Sequence, residues 1–176
     1  QVLANGGAGA LLSLAFFLRA EGWLWAAFVG AMAAVTADTW ATELGVLSSV
    51  PPRLITTGKI VPAGTSGAVT LLGTVVAFCG ALFIAVVGVM GMLAFLSLRK
   101  VGLDFLPRPW VLTLSSIPFI TLAGFLGSLM DSWLGATVQG IYFCNYDRTE
   151  TESRVHRCGR ATRLVRGWRW LDNDAV

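Results

Sequence analysis

Residues 22–47 read GWLWAAFVGAMAAVTADTWATELGVL, with no charge before Asp38 and only one more, Glu43, before the run ends. Roughly 20 apolar residues cross a bilayer as a helix, so this stretch predicts a membrane span. It also places two carboxylates at membrane depth toward one end. Ionisable groups there cost several kcal/mol unless paired or coordinated, and no Lys, Arg or His lies within the stretch. The reading that follows is functional rather than a structural ion pair. At about 100° per residue, Asp38 and Glu43 project roughly 140° apart. Either the helix breaks here, or the two acids serve different sites.

The composition around this stretch agrees with it. Apolar residues make up 55% of the chain and charged residues 13%, with a mean hydropathy of +0.70, beyond what a soluble core needs. Residues 8–18 form an apolar block too short to cross alone, expected to be the tail of a span that begins earlier. Residues 67–98 are too long for one upright span and too short for two with a turn. They predict a single tilted or kinked helix, with Gly88 and Gly91 as candidate bends. Residues 110–138 predict a further span carrying Asp131. The expected fold is an all-α polytopic transmembrane bundle, one integral membrane domain over residues 1–176 with about four spans visible. Gln1 to Gly7 lack the basic region of a signal peptide, and an apolar run begins at Ala175-Val176, so an excerpt with spans missing at both ends is expected.

Basic residues set the expected topology, because cytoplasmic loops carry the excess of Lys and Arg. Arg53, Lys59, Arg148, Arg154, Arg157, Arg160, Arg163, Arg166 and Arg169 fall on one side, and Arg19, Arg99, Lys100 and Arg108 on the other. The first set is expected in the cytoplasm. Most of it lies within residues 140–170, read as a basic cytoplasmic loop facing lipid headgroups. Membrane lipids, not nucleic acid, are its expected partner.

Three elements carry chemistry. Besides the Asp38–Glu43 span, a loop pairs Arg53 and Lys59 with Gly64, Thr65, Ser66 and Gly67 and then opens a helix. Backbone N–H groups at a helix start, glycines permitting close approach and cations are the parts of a phosphate cradle. It is not a Walker A sequence, and a capping turn with incidental basic residues has the same composition. Further on, Gly127, Asp131 and Gly135 recur every four residues on one helix face, flanked by Ser128 and Ser132. Close helix packing explains the small residues but not the aspartate. Together, Asp38, Glu43 and Asp131 are candidate Mg²⁺ ligands, with nucleotide phosphates completing the shell. Phosphoryl transfer needs chiefly positioning and charge neutralisation, which suits spans without histidine.

Several of these segments also carry a resemblance. Gln1-Val2-Leu3-Ala4-Asn5-Gly6, residues 37–45, residues 52–57, residues 61–67, residues 131–136 and Leu171-Asp172-Asn173-Asp174-Ala175-Val176 resemble, in order and from end to end, the DUF92 family, also called the transmembrane protein 19 family, which includes plant and cyanobacterial phytyl-phosphate kinases. The resemblance implies a CTP-dependent kinase that converts an isoprenoid monophosphate into its diphosphate. It also implies a fold like that of CTP-using phosphatidate cytidylyltransferases and dolichol kinases. Asn5, Thr39, Ser132, Asn173 and Asp174 become second-tier site candidates. Two alternatives stand beside it. A cytidylyltransferase would attack the α-phosphorus of CTP instead, although no second lysine accompanies Lys59 to grip departing pyrophosphate. A transporter or scaffold for anionic lipids would use the acids as ion relays and leave the basic loop unexplained.

The resemblance bears on the cysteines too. Prokaryotic relatives often carry Cys-x-x-Cys with a later His and Cys, like a small zinc knuckle. Here Cys144 is followed by Asp147, then by His156 and Cys158. An aspartate stands where a second thiolate would be, so a Zn²⁺ site must use Asp147, be weakened, or be absent. A Cys144–Cys158 disulfide is not expected in a cytosol-facing segment. Cys79, within an apolar span, reads as a small hydrophobe.

Overall fold

A computed structural model of the chain describes residues 2–19, 21–99, 114–151 and 153–169, with side chains at all of these except 2–5, 98 and 99. Four helices form the membrane part: α1 (Val2–Arg19), α2 (Gly22–Gly45), α3 (Leu71–Arg99) and α4 (Ser116–Thr137). Among the described residues, α2, α4 and the Leu71–Ser97 part of α3 are long and apolar enough to cross a bilayer, while the apolar part of α1, Gly6–Arg19, is shorter. The expected helical membrane bundle is present, with three helices of crossing length and one shorter one. Asn5 lies on α1 with its side chain outside the described residues. Asn173 and Asp174 lie outside them altogether, as do Lys100 and Arg108.

Small residues let the spans approach closely, which matters where lipid removes the hydrophobic drive between helices. Along α3, Ala77, Ala81, Ala85 and Val89 fall four apart and are fully buried, facing Val29, Ala33 and Ala37 of α2. The two helices run antiparallel: a Cβ on Gly73 would lie 3.1 Å from the carbonyl oxygen of Ala41, and one on Gly88 would lie 2.5 Å from Val29 Cγ1. Gly88 is therefore a contact residue, not a bend. α3 continues unbroken through Gly88 and Gly91, and its 29 residues exceed a bilayer core of about 30 Å at about 1.5 Å each. α4 runs in the same direction as α2 and packs against both α2 and α3, with Gly124 against Ala33, Gly127 against Ala34 and the Phe125 ring against Phe78 of α3.

The ends of α2 and α4 and the start of α3 lie on one face of the bundle, and the remaining structure gathers there. β1 (Arg53–Leu54) pairs antiparallel with β2 (Ala68–Val69). Thr70 then caps α3, its Oγ1 accepting from the N–H of Gly73 at 2.9 Å. After α4 come β3 (Ile141–Cys144), β4 (Thr149–Thr151) and β5 (Arg163–Arg166), an antiparallel sheet in the order β4-β3-β5. Residues 140–170 are thus not a plain solvated loop. Ile141, Tyr142 and Cys144 of the central strand are buried, and the arginines decorate a folded module. α1 and α3 end at Arg19 and Arg99 on the opposite face, so the described parts of the two basic sets are separated as the topology reading requires.

Candidate active site

Because α2 and α4 run parallel in a fixed register, Asp131 comes alongside Asp38, near enough for the two carboxylates to interact electrostatically. Both are half-buried. Asp38 lies seven residues before Gly45 and Asp131 six before Thr137, about 10 Å inside the helix ends at the usual rise. Neither helix contains a Lys, Arg or His. Two carboxylates within electrostatic reach of one another at membrane depth, without a cation on either helix, form a donor set that suits Mg²⁺, which is held through one or two carboxylates and keeps its other positions for water and phosphate oxygens.

Glu43 is not brought to this pair. α2 is continuous from Gly22 to Gly45, so the 140° offset between the acids persists. Glu43 is exposed, and among the described residues no third ligand-type side chain completes a compact group with Asp38 and Asp131. Of the two options in the sequence, a helix break or acids that serve different sites, the break is not present: α2 runs unbroken through both acids. Thr39 bonds back to the Val35 carbonyl at 2.8 Å and is exposed, whereas Ser132 is half-buried next to Asp131.

Above the aspartates lies the loop between α2 and α3. Gly58, Gly64 and Gly67 have φ of +67°, +85° and +74°, a left-handed conformation that disfavours side chains. At Gly67 contact adds a second constraint, since a Cβ there would collide with the backbone and side chain of Ala136 on α4. Gly64 and Gly58 instead face open space. Arg53 and Lys59 are exposed on the hairpin. Arg53 Nη1 donates to the Gly58 carbonyl at 2.9 Å, leaving further guanidinium donors. Thr65 Oγ1 donates to the Pro62 carbonyl at 2.8 Å, and the Ser66 hydroxyl donates to Gln139 Oε1. Thr65 and Ser66, expected as phosphate ligands, shape and anchor the loop in this structure. The α3 start is likewise occupied by the Thr70 cap, four residues later than a direct loop-to-helix cradle would place it.

Sequence reading missed the residues that seat this loop. Gln139, 3% exposed, links Ser66 to the sheet module, where the Trp168 N–H donates to the Val138 carbonyl at 2.9 Å. Arg166 Nη1 donates to the Ala136 carbonyl at 2.7 Å, closing the C-terminal end of α4. A lone Gln after an apolar run and one Arg among many carry no local signal of either role.

A second cluster lies in the module. Cys144, Asp147, His156 and Cys158 converge, their ligand atoms all within 4.8 Å of one another. The cysteines are free. Hydrogen bonding from the backbone N–H of Asp147, and then from that of Tyr146, holds the Cys144 thiol below its ordinary range.

A family model described as Integral membrane protein DUF92 matches residues 1–176. The chain is 36% identical over 148 residues to Protein PGR of Arabidopsis thaliana, covering 84% of this chain and 48% of that protein. It is 38% identical over 139 residues to an uncharacterized membrane protein of Methanocaldococcus jannaschii, covering 77% and 49%. A Synechocystis membrane protein, also uncharacterized, is 34% identical over 134 residues, covering 74% and 45%. The chain therefore spans about half the length of the curated relatives it matches. No solved structure matches it.

Proposed function

The chain belongs to the DUF92 family of integral membrane proteins, and from that premise we propose that it transfers the γ-phosphoryl group of CTP to an isoprenoid monophosphate, of the phytyl or polyprenyl type, at the cytoplasmic face of the membrane. The observation that carries this reading is the pair Asp38 and Asp131, within electrostatic reach of one another on parallel spans that hold no cation. Mg²⁺ bound there would neutralise the phosphates brought together for transfer.

The remaining roles follow from position. Arg53 and Lys59 bind the triphosphate at the mouth of the loop, and the open backbone at Gly58 and Gly64 allows phosphate oxygens close approach. Ser66, Gln139 and Gly67 hold that loop over the end of α4. The acceptor enters from the bilayer with its phosphate at this face. One of its oxygens attacks the γ-phosphorus, the bond to the β-phosphate oxygen breaks, and CDP and the lipid diphosphate leave. The attacking oxygen is already anionic, so the absence of histidine from α2 and α4 is no obstacle.

The reading is tested by CDP release from CTP by the protein in liposomes, which should require both Mg²⁺ and an isoprenoid monophosphate. CDP formation without the lipid acceptor, or none with it, contradicts the proposal. Within that assay, Arg53→Ala and Lys59→Ala should each raise the KM for CTP about 10-fold and leave the KM for lipid within about 2-fold. An increase confined to the lipid KM would move these residues to the acceptor site.

A further inference from the structure

The sheet module gathers four metal-ligand side chains, Cys144, Asp147, His156 and Cys158, apart from the aspartate pair. Two tight turns supply them. The turn between β3 and β4 supplies Cys144 and Asp147, with Arg148 at φ +52° completing it. The other runs between the bridged residues Val155 and Ala161, closed by the His156 N–H to the Arg160 carbonyl at 2.9 Å and the Gly159 N–H to the His156 carbonyl at 2.8 Å. It supplies His156 and Cys158. Backbone N–H groups are directed at both sulfurs, those of Asp147 and Tyr146 at Cys144 and that of Arg160 at Cys158.

The spacing of the ligand atoms can be compared with what an ion requires. With Zn–S near 2.3 Å and Zn–N or Zn–O near 2.0–2.1 Å, tetrahedral geometry puts two sulfurs about 3.8 Å apart, sulfur and nitrogen about 3.5 Å and nitrogen and oxygen about 3.3 Å. Here Cys144 Sγ and Cys158 Sγ are 3.7 Å apart, and His156 Nδ1 is 3.3 Å from Cys158 Sγ. His156 Nδ1 and Asp147 Oδ2 are 2.8 Å apart, a hydrogen-bond length that opens by about half an ångström around an ion. A disulfide would need its sulfurs at about 2.05 Å. An ordinary His–Asp pair accounts for one of these contacts but not for two sulfurs 3.7 Å apart, one of them 3.3 Å from the same ring nitrogen.

We infer that Cys144, Asp147, His156 and Cys158 bind one zinc ion through two thiolates, the Nδ1 of the imidazole and a carboxylate oxygen, and that this ion folds the module which seats the glycine loop. Two thiolates with an imidazole select zinc over Mg²⁺, and four protein ligands make the site structural, with no open position for a substrate. The ion joins the two turns. β3 and β5 then hold the chain so that Gln139 meets Ser66 and Arg166 meets the Ala136 carbonyl. Asp147 supplies the fourth ligand in place of a thiolate.

The test needs no catalytic assay, so it is independent of the phosphoryl-transfer reading. The purified full-length protein should contain about one equivalent of zinc. Replacement by cobalt should give the intense visible absorption of tetrahedral thiolate-bound Co²⁺. Cys158→Ser should lose the metal, and Asp147→Cys should keep it and resist chelator better. Trypsin should cut the chelated protein at least about 10-fold faster, both in the module and after Lys59 in the loop. Zinc-free protein that takes up no cobalt, or zinc retained undiminished in Cys158→Ser, overturns the site. If Cys158→Ser fails to fold, Asp147→Cys decides alone, and metal released from it as easily as from the unaltered protein also overturns the site. Metal loss that speeds cleavage in the module but not after Lys59 overturns the link to the loop.

Discussion

Asp131→Asn and Asp38→Asn are each expected to lower turnover at least ~1,000-fold while the protein stays folded in the membrane. Asn preserves shape and hydrogen-bonding capacity but removes the charge that holds the metal, and transfer between two anionic phosphates depends on that neutralisation. Stability moves the other way or not at all. The two carboxylates on α2 and α4 lie within electrostatic reach of one another, and neutralising one relieves repulsion and the burial of a charge. Kinetics and thermal unfolding of the two variants in the same detergent check this. Glu43→Gln is the internal contrast, since Glu43 is exposed and set apart from the pair, and it should keep activity within about 5-fold. If either aspartate variant remains active, or unfolds where Glu43→Gln does not, the pair is structural and not a metal site.

The second large effect is expected at Gly67. A side chain at φ +74° costs about 1–2 kcal/mol, and its Cβ would collide with Ala136, whose backbone is fixed within α4. Overpacking adds about 1–3 kcal/mol, so Gly67→Ala should cost about 2–5 kcal/mol or unseat the loop and raise the KM for CTP. Gly58→Ala has a similar φ, +67°, but open space around it, and should show only the conformational cost. Thermal unfolding of the two variants side by side measures the difference. Equal effects would mean that the loop does not rest on α4.

The two features legible from sequence were those that depend on local run length and on cost. The spans were visible because an uninterrupted apolar run has no other stable place, and Asp38 and Asp131 stood out because a carboxylate within such a run demands a partner. The separation of the basic residues into two faces followed from the same runs. What depends on register between distant segments was not visible. Gly88 read as a bend, whereas Val29 sits against it. Gly124, packed on Ala33, was not singled out, because a glycine in a span reveals contact only when its partner is known. Nor does the sequence show the partners of Thr65 and Ser66, whose hydroxyls are bonded to Pro62 and Gln139. The sheet module was hidden for another reason. Its strands are three to four residues long on either side of turns and rich in arginine, so its composition matches that of a solvated tail. Only the positions of Cys144, Asp147, His156 and Cys158 hinted that it folds.

The fate of a labelled phosphate tests the central claim most directly. Protein in liposomes is given γ-labelled CTP, Mg²⁺ and geranylgeranyl or phytyl phosphate, and the lipid fraction is separated from the aqueous one. The label is predicted to appear in the lipid as its diphosphate, with unlabelled CDP in the water and no signal from Asp131→Asn. Label released as pyrophosphate, with cytidine found in the lipid, would contradict the account by placing the attack on the α-phosphorus.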